Sequence, residues 1–237
     1  MPTACFSGRL TIGTTWEEFS EWVIEFDYPR VAEIPSIISQ RIFRVVGEVE
    51  SKEFALPGKS RLDYIEVIEF TNLSDYARDL QQHARAHEIS AQLPRYVDLK
   101  SVAAVHGETV SSSQVRRWNP SHTPLIMMAR RKCGITKELH SAWMREIYLP
   151  LLKQLNSLER IEVFTIESAL AIAGTDSMAF DHLRIAHVVD VRQFVEEFSV
   201  RLGSRLIARL LPEILDLPVV ANVECKFISP GVFRGNG

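Results

Sequence analysis

The sequence lacks the features that mark several common classes of protein. Its three cysteines, Cys5, Cys133 and Cys225, are far apart and include no CxxC pair, which argues against a disulfide framework or a thiolate metal site. No apolar run approaches the roughly 18 residues that cross a bilayer, and the first residues do not resemble a secretion signal. The formal net charge of −3 offers no positive excess for nucleic acid or anionic lipid. We therefore expect a cytoplasmic protein without nucleic-acid or membrane partners.

Signature motifs of nucleotide-binding proteins and serine hydrolases are also missing. The chain contains no P-loop, no GxGxxG fingerprint and no GxSxG elbow. These absences disfavour nucleotide-dependent chemistry and acyl transfer on an activated serine. We expect no cofactor and no metal site.

An internal repeat is the strongest positive feature of the sequence. The stretch LPRYVDLKSVAAV, which begins at Leu93, returns as LPEILDLPVVANV from Leu211, and seven of the thirteen positions match without a gap. Upstream, an offset of 121 residues aligns Trp22 with Trp143, and the later stretch aligns at an offset of 118. The three-residue difference fits a shorter loop in the second copy. The chain is therefore predicted to contain two copies of one unit.

Each copy has the order β-α-β-β-α-β. Alternating and β-branched runs predict strands over residues 4–12, 39–49, 62–70 and 99–106, and again over 125–133, 160–171, 181–189 and 219–228. Helices are predicted after Thr15, which forms a capping box with Glu18, over 72–94, after Thr136 and over most of 191–215. The expected domains are a first repeat, a linker and a second repeat with a short mobile tail, spanning 1–110, 111–123 and 124–237.

This order predicts an α+β fold of tandem ferredoxin-like repeats. Each four-stranded antiparallel sheet carries two helices on one face, so its other face must be buried elsewhere. The second repeat can supply that cover within the same chain. We therefore predict an intramolecular, pseudo-dimeric α/β barrel.

The predicted barrel resembles the dimeric α/β-barrel superfamily, and its first helix resembles the EthD-like group. The matching residues are Phe19, Trp22 and Pro29 in the first repeat, and Trp143 and Pro150 in the second. The group's histidine, two residues before the proline, is replaced by Asp27 and Tyr148, so its role cannot be carried over. The resemblance implies a fold shared by cofactor-free oxygenases, lactone isomerases, polyketide cyclases and dehydratases. Related fused barrels bind haem, but the GxxDG motif of the dye-decolourising peroxidases is absent.

Strand alternation selects the candidate site residues. We expect the more apolar face of each sheet to meet the helices, because helices exclude water from it. This assumption turns Tyr64, Glu66, His182 and Arg184 toward the space between the sheets, where Glu66 and Arg184 could form a salt bridge instead of binding a ligand. Glu69 and His187 are then expected at strand ends, at the mouth of a helix-side pocket.

These positions suggest roles in proton-transfer chemistry. A Glu or His in a half-desolvated pocket can act as a general base, so His187 or Glu69 is the predicted base. An arginine beside an apolar cleft can stabilise developing negative charge. The candidates for stabilising this charge and binding the substrate are Arg9, Arg44, Arg130 and His106. His106 is also a catalytic candidate, and Tyr64 is expected to orient the substrate.

The leading hypothesis is a cofactor-independent enzyme acting on a small aromatic, lactone or polyketide-like molecule. Its reaction would be proton abstraction with enolate stabilisation, as in an isomerase, cyclase or dehydratase, or in a cofactor-free oxygenase. One alternative is a ligand-binding or stress-related barrel without turnover, and another is a haem-binding barrel. A homodimer is possible, because exposed sheet edges can pair between chains.

Overall fold

The computed structural model of the chain describes residues 1–49, 62–114, 122–170, 180–201, 210–228 and 232–233. Its strands are β1 Pro2–Leu10, β2 Ile37–Glu48, β3 Tyr64–Phe70, β4 Val97–Gln114, β5 Thr123–Arg131, β6 Leu158–Ala169, β7 His182–Val188, β8 Leu215–Phe227 and β9 Val232–Phe233. Its α-helices are α1 Trp16–Trp22, α2 Tyr28–Val31, α3 Leu73–Gln82, α4 Ala84–Gln92, α5 Lys137–Trp143, α6 Leu149–Leu152 and α7 Val191–Arg201. Two π-helical turns, Val23–Asp27 and Met144–Tyr148, join α1 to α2 and α5 to α6.

Local sequence signals explain where the first helical segment begins and why it contains a π-helical turn. Thr15 caps α1 through the predicted capping box, in which its side chain accepts from the Glu18 backbone and Glu18 accepts from the Thr15 backbone. Further along, Pro29 has no N–H to donate, and its ring would crowd the carbonyl one turn earlier. The turn before it opens into a π-helix, in which the Tyr28 N–H donates to the Val23 carbonyl five residues back.

The strands close into a ring. In hydrogen-bonded order the sheet runs β3-β1-β4-β6-β7-β5-β8-β2, and β2 pairs again with β3. All these pairings are antiparallel. Strand β9 is a short addition that pairs with β2 at Ser39 and Gln40. The result is an eight-stranded barrel with helices outside it.

Each half of the ring is one repeat. Strands β4-β1-β3-β2 are consecutive in the ring, and so are the corresponding strands β8-β5-β7-β6 of the second half. Both series have the ferredoxin-like order. The halves are joined by β4 with β6 and by β2 with β8, which relates the repeats by a pseudo-two-fold axis. The predicted fold class is confirmed.

On β3 and β7 the more apolar residues face the barrel interior, which reverses the predicted orientation. Ile65 and Val67 pack inside the barrel with residues from both repeats, including Ile126, Leu183 and Ile185. Tyr64 instead belongs to the core between sheet and helices, and Glu66 lines a cavity on that same side. His182 and Arg184 alternate with Leu183 and Ile185, so they also face the helices. The assumption failed because both faces of these strands are covered, so the degree of apolarity does not decide which face meets the helices.

Three smaller expectations also change. The predicted helix over 72–94 is two helices, because His83 has an extended backbone and caps α4 through its Nδ1 atom. Strand β4 runs on to Gln114 and pairs with β6, so residues 111–114 are strand rather than linker. The rest of the expected linker up to residue 121, and the expected mobile tail apart from β9, lie outside the described residues.

Two further properties follow from the described ranges. Cys5 and Cys225 are buried, whereas Cys133 is exposed, and all three are free thiols. Within these ranges no helix is both long enough and apolar enough to cross a membrane.

Candidate functional site

A cavity of about 250 Å³ lies between the first repeat's sheet and its helices. We call it the helix-side cavity. Its walls are apolar and rich in aromatic rings, including Phe6, Phe19, Trp22, Tyr64 and Tyr76. On the outer side, Leu80 of α3 and Ser90 of α4 line it and are exposed, so the cavity approaches solvent between these helices. A concave, mostly apolar space with a few polar groups is typical of a small-molecule site.

The polar groups of this cavity form one cluster. The Gln40 side-chain nitrogen donates to Asp27 Oδ2 at 2.8 Å and to Glu66 Oε1 at 2.7 Å. Asp27 and Gln40 are almost completely buried, and Glu66 is half-buried where it lines the cavity. We call these three residues the carboxylate floor. The π-turn supplies Asp27, β2 supplies Gln40 and β3 supplies Glu66.

Burial shifts the titration of both floor carboxyls. Loss of hydration raises the pKa of Asp27 to about 6, although the Gln40 hydrogen bond and the charge of Arg30 act in the opposite direction. Burial, followed by the negative charge of Asp27, raises the pKa of Glu66 to about 8. Two carboxyls that share one donor resist double ionisation. Near neutral pH the floor therefore holds one proton, mainly on Glu66, and one negative charge.

Apart from the proton on Glu66, the floor offers hydrogen-bond acceptors. Gln40 uses its amide nitrogen on the two carboxyls, and its buried Oε1 has no partner in the described part of the chain. On the wall, the buried Trp22 Nε1 likewise finds no acceptor among the described residues. No lysine, arginine or histidine is among the described residues that line the cavity. Arg30, whose charge acts on Asp27, is itself bound to Glu88 at 2.6 Å.

The second repeat does not reproduce this floor. At the offsets that align the repeats, its counterparts are Tyr148, Ile161 and Arg184. Arg184 donates to the Tyr148 hydroxyl, while Tyr148 and Ile161 pack in the second repeat's helix-side core. The carboxylate floor is therefore specific to the first repeat.

Glu69 and His187 lie inside the barrel rather than at a helix-side mouth. Arg41 and Glu162 form a buried bidentate pair there, with distances of 2.8 and 3.0 Å. Glu69 is 3.6 Å from Arg41, and His187 Nε2 is 3.6 Å from Glu162. Although burial opposes ionisation, Arg41 holds the pKa of Glu162 well below its usual range. Burial lowers the pKa of His187, so this ring is neutral.

The other predicted charge-balancing residues are dispersed. Arg9 pairs with Asp98 at 3.1 Å on the surface, and the Arg44 guanidinium lies over the Trp16 ring at 5.2 Å. Arg130 is exposed on β5. His106 contacts the Ser168 hydroxyl at 2.6 Å where β4 meets β6. None of these four residues lines the helix-side cavity, whereas Tyr64 and Glu66 do.

His182 and Arg184 belong to the second repeat's helix side. His182 Nδ1 lies 3.2 Å from His140 Nε2, and His140 Nδ1 lies 3.0 Å from the Thr165 hydroxyl. Burial lowers the pKa of both rings, to about 4 for His140. The expected Glu66–Arg184 salt bridge is not formed, because the residues occupy separate helix-side regions. In the described ranges no three His, Cys, Asp or Glu side chains are placed to share a metal ion.

Sequence reasoning missed Asp27 and Gln40 as site residues. Asp27 was visible only as a departure, since it stands where the EthD-like helix motif has histidine. Gln40 gave no signal, because one glutamine in a strand has no pattern of its own. Its importance depends on two partners that are distant in sequence.

Comparisons with known proteins agree with this architecture. The family model described as REDY-like protein HapK matches residues 3–110, which lie in the first repeat. No curated protein matches the chain significantly.

Similar solved structures extend over both repeats. A candidate monooxygenase from Fusobacterium nucleatum subsp. nucleatum ATCC 25586 has a TM-score of 0.61 at 6% identity, covering 98% of this chain and 97% of its own. An anthrone oxidase-like protein has a TM-score of 0.62 at 10% identity, with coverages of 98% and 95%. A candidate monooxygenase from Lactobacillus acidophilus NCFM has a TM-score of 0.52 at 9% identity, with coverages of 98% and 99%. At these identities the likeness establishes a common fold, not a common chemistry.

Proposed function

We propose that this protein is a cofactor-independent enzyme that removes a proton from a small aromatic or polyketide-like molecule bound in the helix-side cavity. The observation that carries the proposal is the carboxylate floor, a buried Asp–Gln–Glu cluster beneath an apolar chamber. Burying carboxyls with no cation among the described residues that line the cavity costs stability, and carboxyls with such raised pKa values cluster at functional sites.

The two carboxyls are suited to different roles. Asp27 is the group that is ionised near neutral pH, and Glu66 is the one that keeps the proton. Asp27 would accept a proton from an acidic C–H or phenol, which it can do efficiently because its pKa is close to the working pH. Glu66 would donate a hydrogen bond to the enolate oxygen that develops. Gln40 is a positioning residue, because it holds both carboxyls through one amide nitrogen.

The comparisons support the substrate class without fixing it. One structural neighbour is described as anthrone oxidase-like and two as candidate monooxygenases. Removing a proton from an anthrone-like carbon acid gives a stabilised carbanion, and such chemistry needs a base in an apolar space. The EthD-like helix motif is consistent with this proposal, with Asp27 in place of its histidine.

Solvent exchange tests the proposal directly. The protein is incubated in D2O with 2-tetralone or anthrone, and deuterium uptake at the acidic carbon is followed by mass spectrometry. We expect exchange above the buffer rate, reduced at least tenfold in Asp27→Asn. Glu66→Gln should lower the rate less, because an amide still donates a hydrogen bond.

The matched control is Glu69→Gln, which neutralises a carboxyl inside the barrel and away from the cavity. It should leave the exchange rate unchanged if the floor is the site. Full activity in Asp27→Asn would contradict the proposal. Loss of exchange in Glu69→Gln or His187→Gln, with Asp27→Asn active, would instead support the barrel-interior base predicted from sequence.

A further inference from the structure

We infer that the helix-side cavity prefers ligands with one positive charge over neutral and anionic ligands of the same shape. The preferred ligand is an apolar ring system that bears a protonated amine. The inference deepens the proposed function and rests on it for placing the ligand in this cavity. It concerns recognition of the ligand, and no bond is made or broken in it.

The hydrogen-bonding capacity of the floor is the first argument. Gln40 directs its amide nitrogen to both carboxyls, so its Oε1 remains available, and this atom is buried without a partner in the described ranges. Asp27 and Glu66 each use one oxygen in those bonds and keep a second. The floor thus presents two unpaired acceptors, the second Asp27 oxygen and Gln40 Oε1, and beside them the Glu66 hydroxyl, whose oxygen can also accept. A primary ammonium group carries three N–H donors and no acceptor, which matches this arrangement.

Charge balance is the second argument. One floor carboxyl is ionised near neutral pH, and the described lining contains no lysine, arginine or histidine to balance it. Arg30 is held by Glu88 and by the Phe26 carbonyl, 3.0 Å away. A buried negative charge without a close partner is costly, and a bound cation would relieve this cost. A carboxylate ligand would add a second negative charge and be rejected.

The walls supply the third argument. Phe19, Trp22 and Tyr64 line the cavity, with ring centroids 5.9 Å apart for Phe19–Trp22 and 5.6 Å for Phe19–Tyr64. Aromatic faces attract cations and also pack well against a flat ring. The cavity volume of about 250 Å³ limits the ligand to a small ring system.

Three probes that differ only in one substituent test the inference. These are 1-naphthylmethylamine, 1-naphthalenemethanol and 1-naphthoic acid, titrated at pH 7 by calorimetry. We expect the amine to bind at least tenfold more tightly than the alcohol, and the acid to bind more weakly than both. In the double variant Asp27→Asn/Glu66→Gln, amine and alcohol should bind within about twofold of each other.

The control is Glu17→Gln/Glu21→Gln, which removes two exposed carboxyls of α1 and so at least as much negative charge as the floor variant removes. It should keep the preference for the amine, which would exclude long-range attraction by the acidic protein. Circular dichroism verifies that both double variants are folded. The inference is overturned if the wild-type protein binds the alcohol as tightly as the amine, if neither probe binds, or if the floor variant keeps the preference. Deuterium exchange with neutral ketones would still succeed in the first case, so the two proposals fail separately.

Discussion

The buried proton of Glu66 should make the protein less stable as the pH rises through neutrality. In the unfolded chain Glu66 ionises with the ordinary glutamate pKa of 4.5, whereas burial raises the pKa in the folded protein to about 8. Between these values the unfolded state releases a proton that the folded state keeps, so stability is lost as the pH rises. Each pKa unit corresponds to about 1.4 kcal/mol, and the full shift corresponds to at most about 5 kcal/mol.

Between pH 6.5 and pH 8 this contribution is given by the difference in unfolding free energy between wild type and Glu66→Gln. Glu162, whose pKa is lowered by Arg41 against the effect of burial, is ionised throughout it in both states. The buried histidines, whose pKa values burial lowers, destabilise the folded state as the pH falls toward the unfolded value near 6.5, and they do so equally in wild type and Glu66→Gln. Cys5, whose pKa burial raises, contributes mainly above this window. Asp27 adds a smaller decline of the same sign at the lower end.

Urea unfolding followed by tryptophan fluorescence measures the effect. Relative to Glu66→Gln, the free energy of unfolding of the wild-type protein should fall by up to about 1.4 kcal/mol per pH unit in this window. Glu66→Gln should lack this decline and be more stable than wild type at pH 8, while the exposed control Glu21→Gln should follow the wild-type slope. Equal slopes for wild type and Glu66→Gln would show that Glu66 is ionised in the folded protein, which refutes the reasoning.

Two further predictions concern the barrel itself. Arg41→Met leaves Glu162 buried without its main partner and should lower the free energy of unfolding by about 3–5 kcal/mol. In a double-mutant cycle, the double variant Arg41→Met/Glu162→Leu should recover most of this loss. Gly107→Ala should lower the melting temperature strongly, because the new Cβ would clash with the Thr165 carbonyl where β4 pairs with β6. The control Gly47→Ala has open space at its Cβ and should change the melting temperature little.

The fold could be predicted because its signals are distributed along the whole chain. The gap-free similarity between the stretches beginning at Leu93 and Leu211 revealed the duplication, and alternation within runs such as Tyr64–Phe70 located the strands. A single error in any of these signals would not have changed the topology, since every repeat has four strands and the two repeats support each other. Thr15 also behaved as its local sequence indicated.

The site could be predicted only in part. Strand alternation divides the side chains of a strand between two faces, but it does not tell which face meets the helices and which faces the barrel interior. Ile65 and Glu66 were correctly assigned to opposite faces, but both faces of this sheet are covered. Apolarity alone suggested that Ile65 faces the helices, whereas in the structure Ile65 faces the barrel interior and Glu66 faces the helices. Once the faces are exchanged, Tyr64 and Glu66 remain together at the cavity, whereas Glu69 and His187 move into the barrel. The distant partners Asp27 and Gln40 depend on the π-turn and on strand pairing, neither of which a local pattern specifies.

Fusion of the repeats accounts for the asymmetry on both sides of the sheet. Arg41 and Glu162 are equivalent positions at the offset of 121, and they contact each other across the pseudo-two-fold axis. In a symmetric dimer of one repeat, this position would face its own copy and place two like charges together inside the barrel. A fused chain can make the two copies different, so that like charges become an ion pair. The same freedom lets one repeat keep the carboxylate floor while the other fills the equivalent space with Tyr148, Ile161 and Arg184.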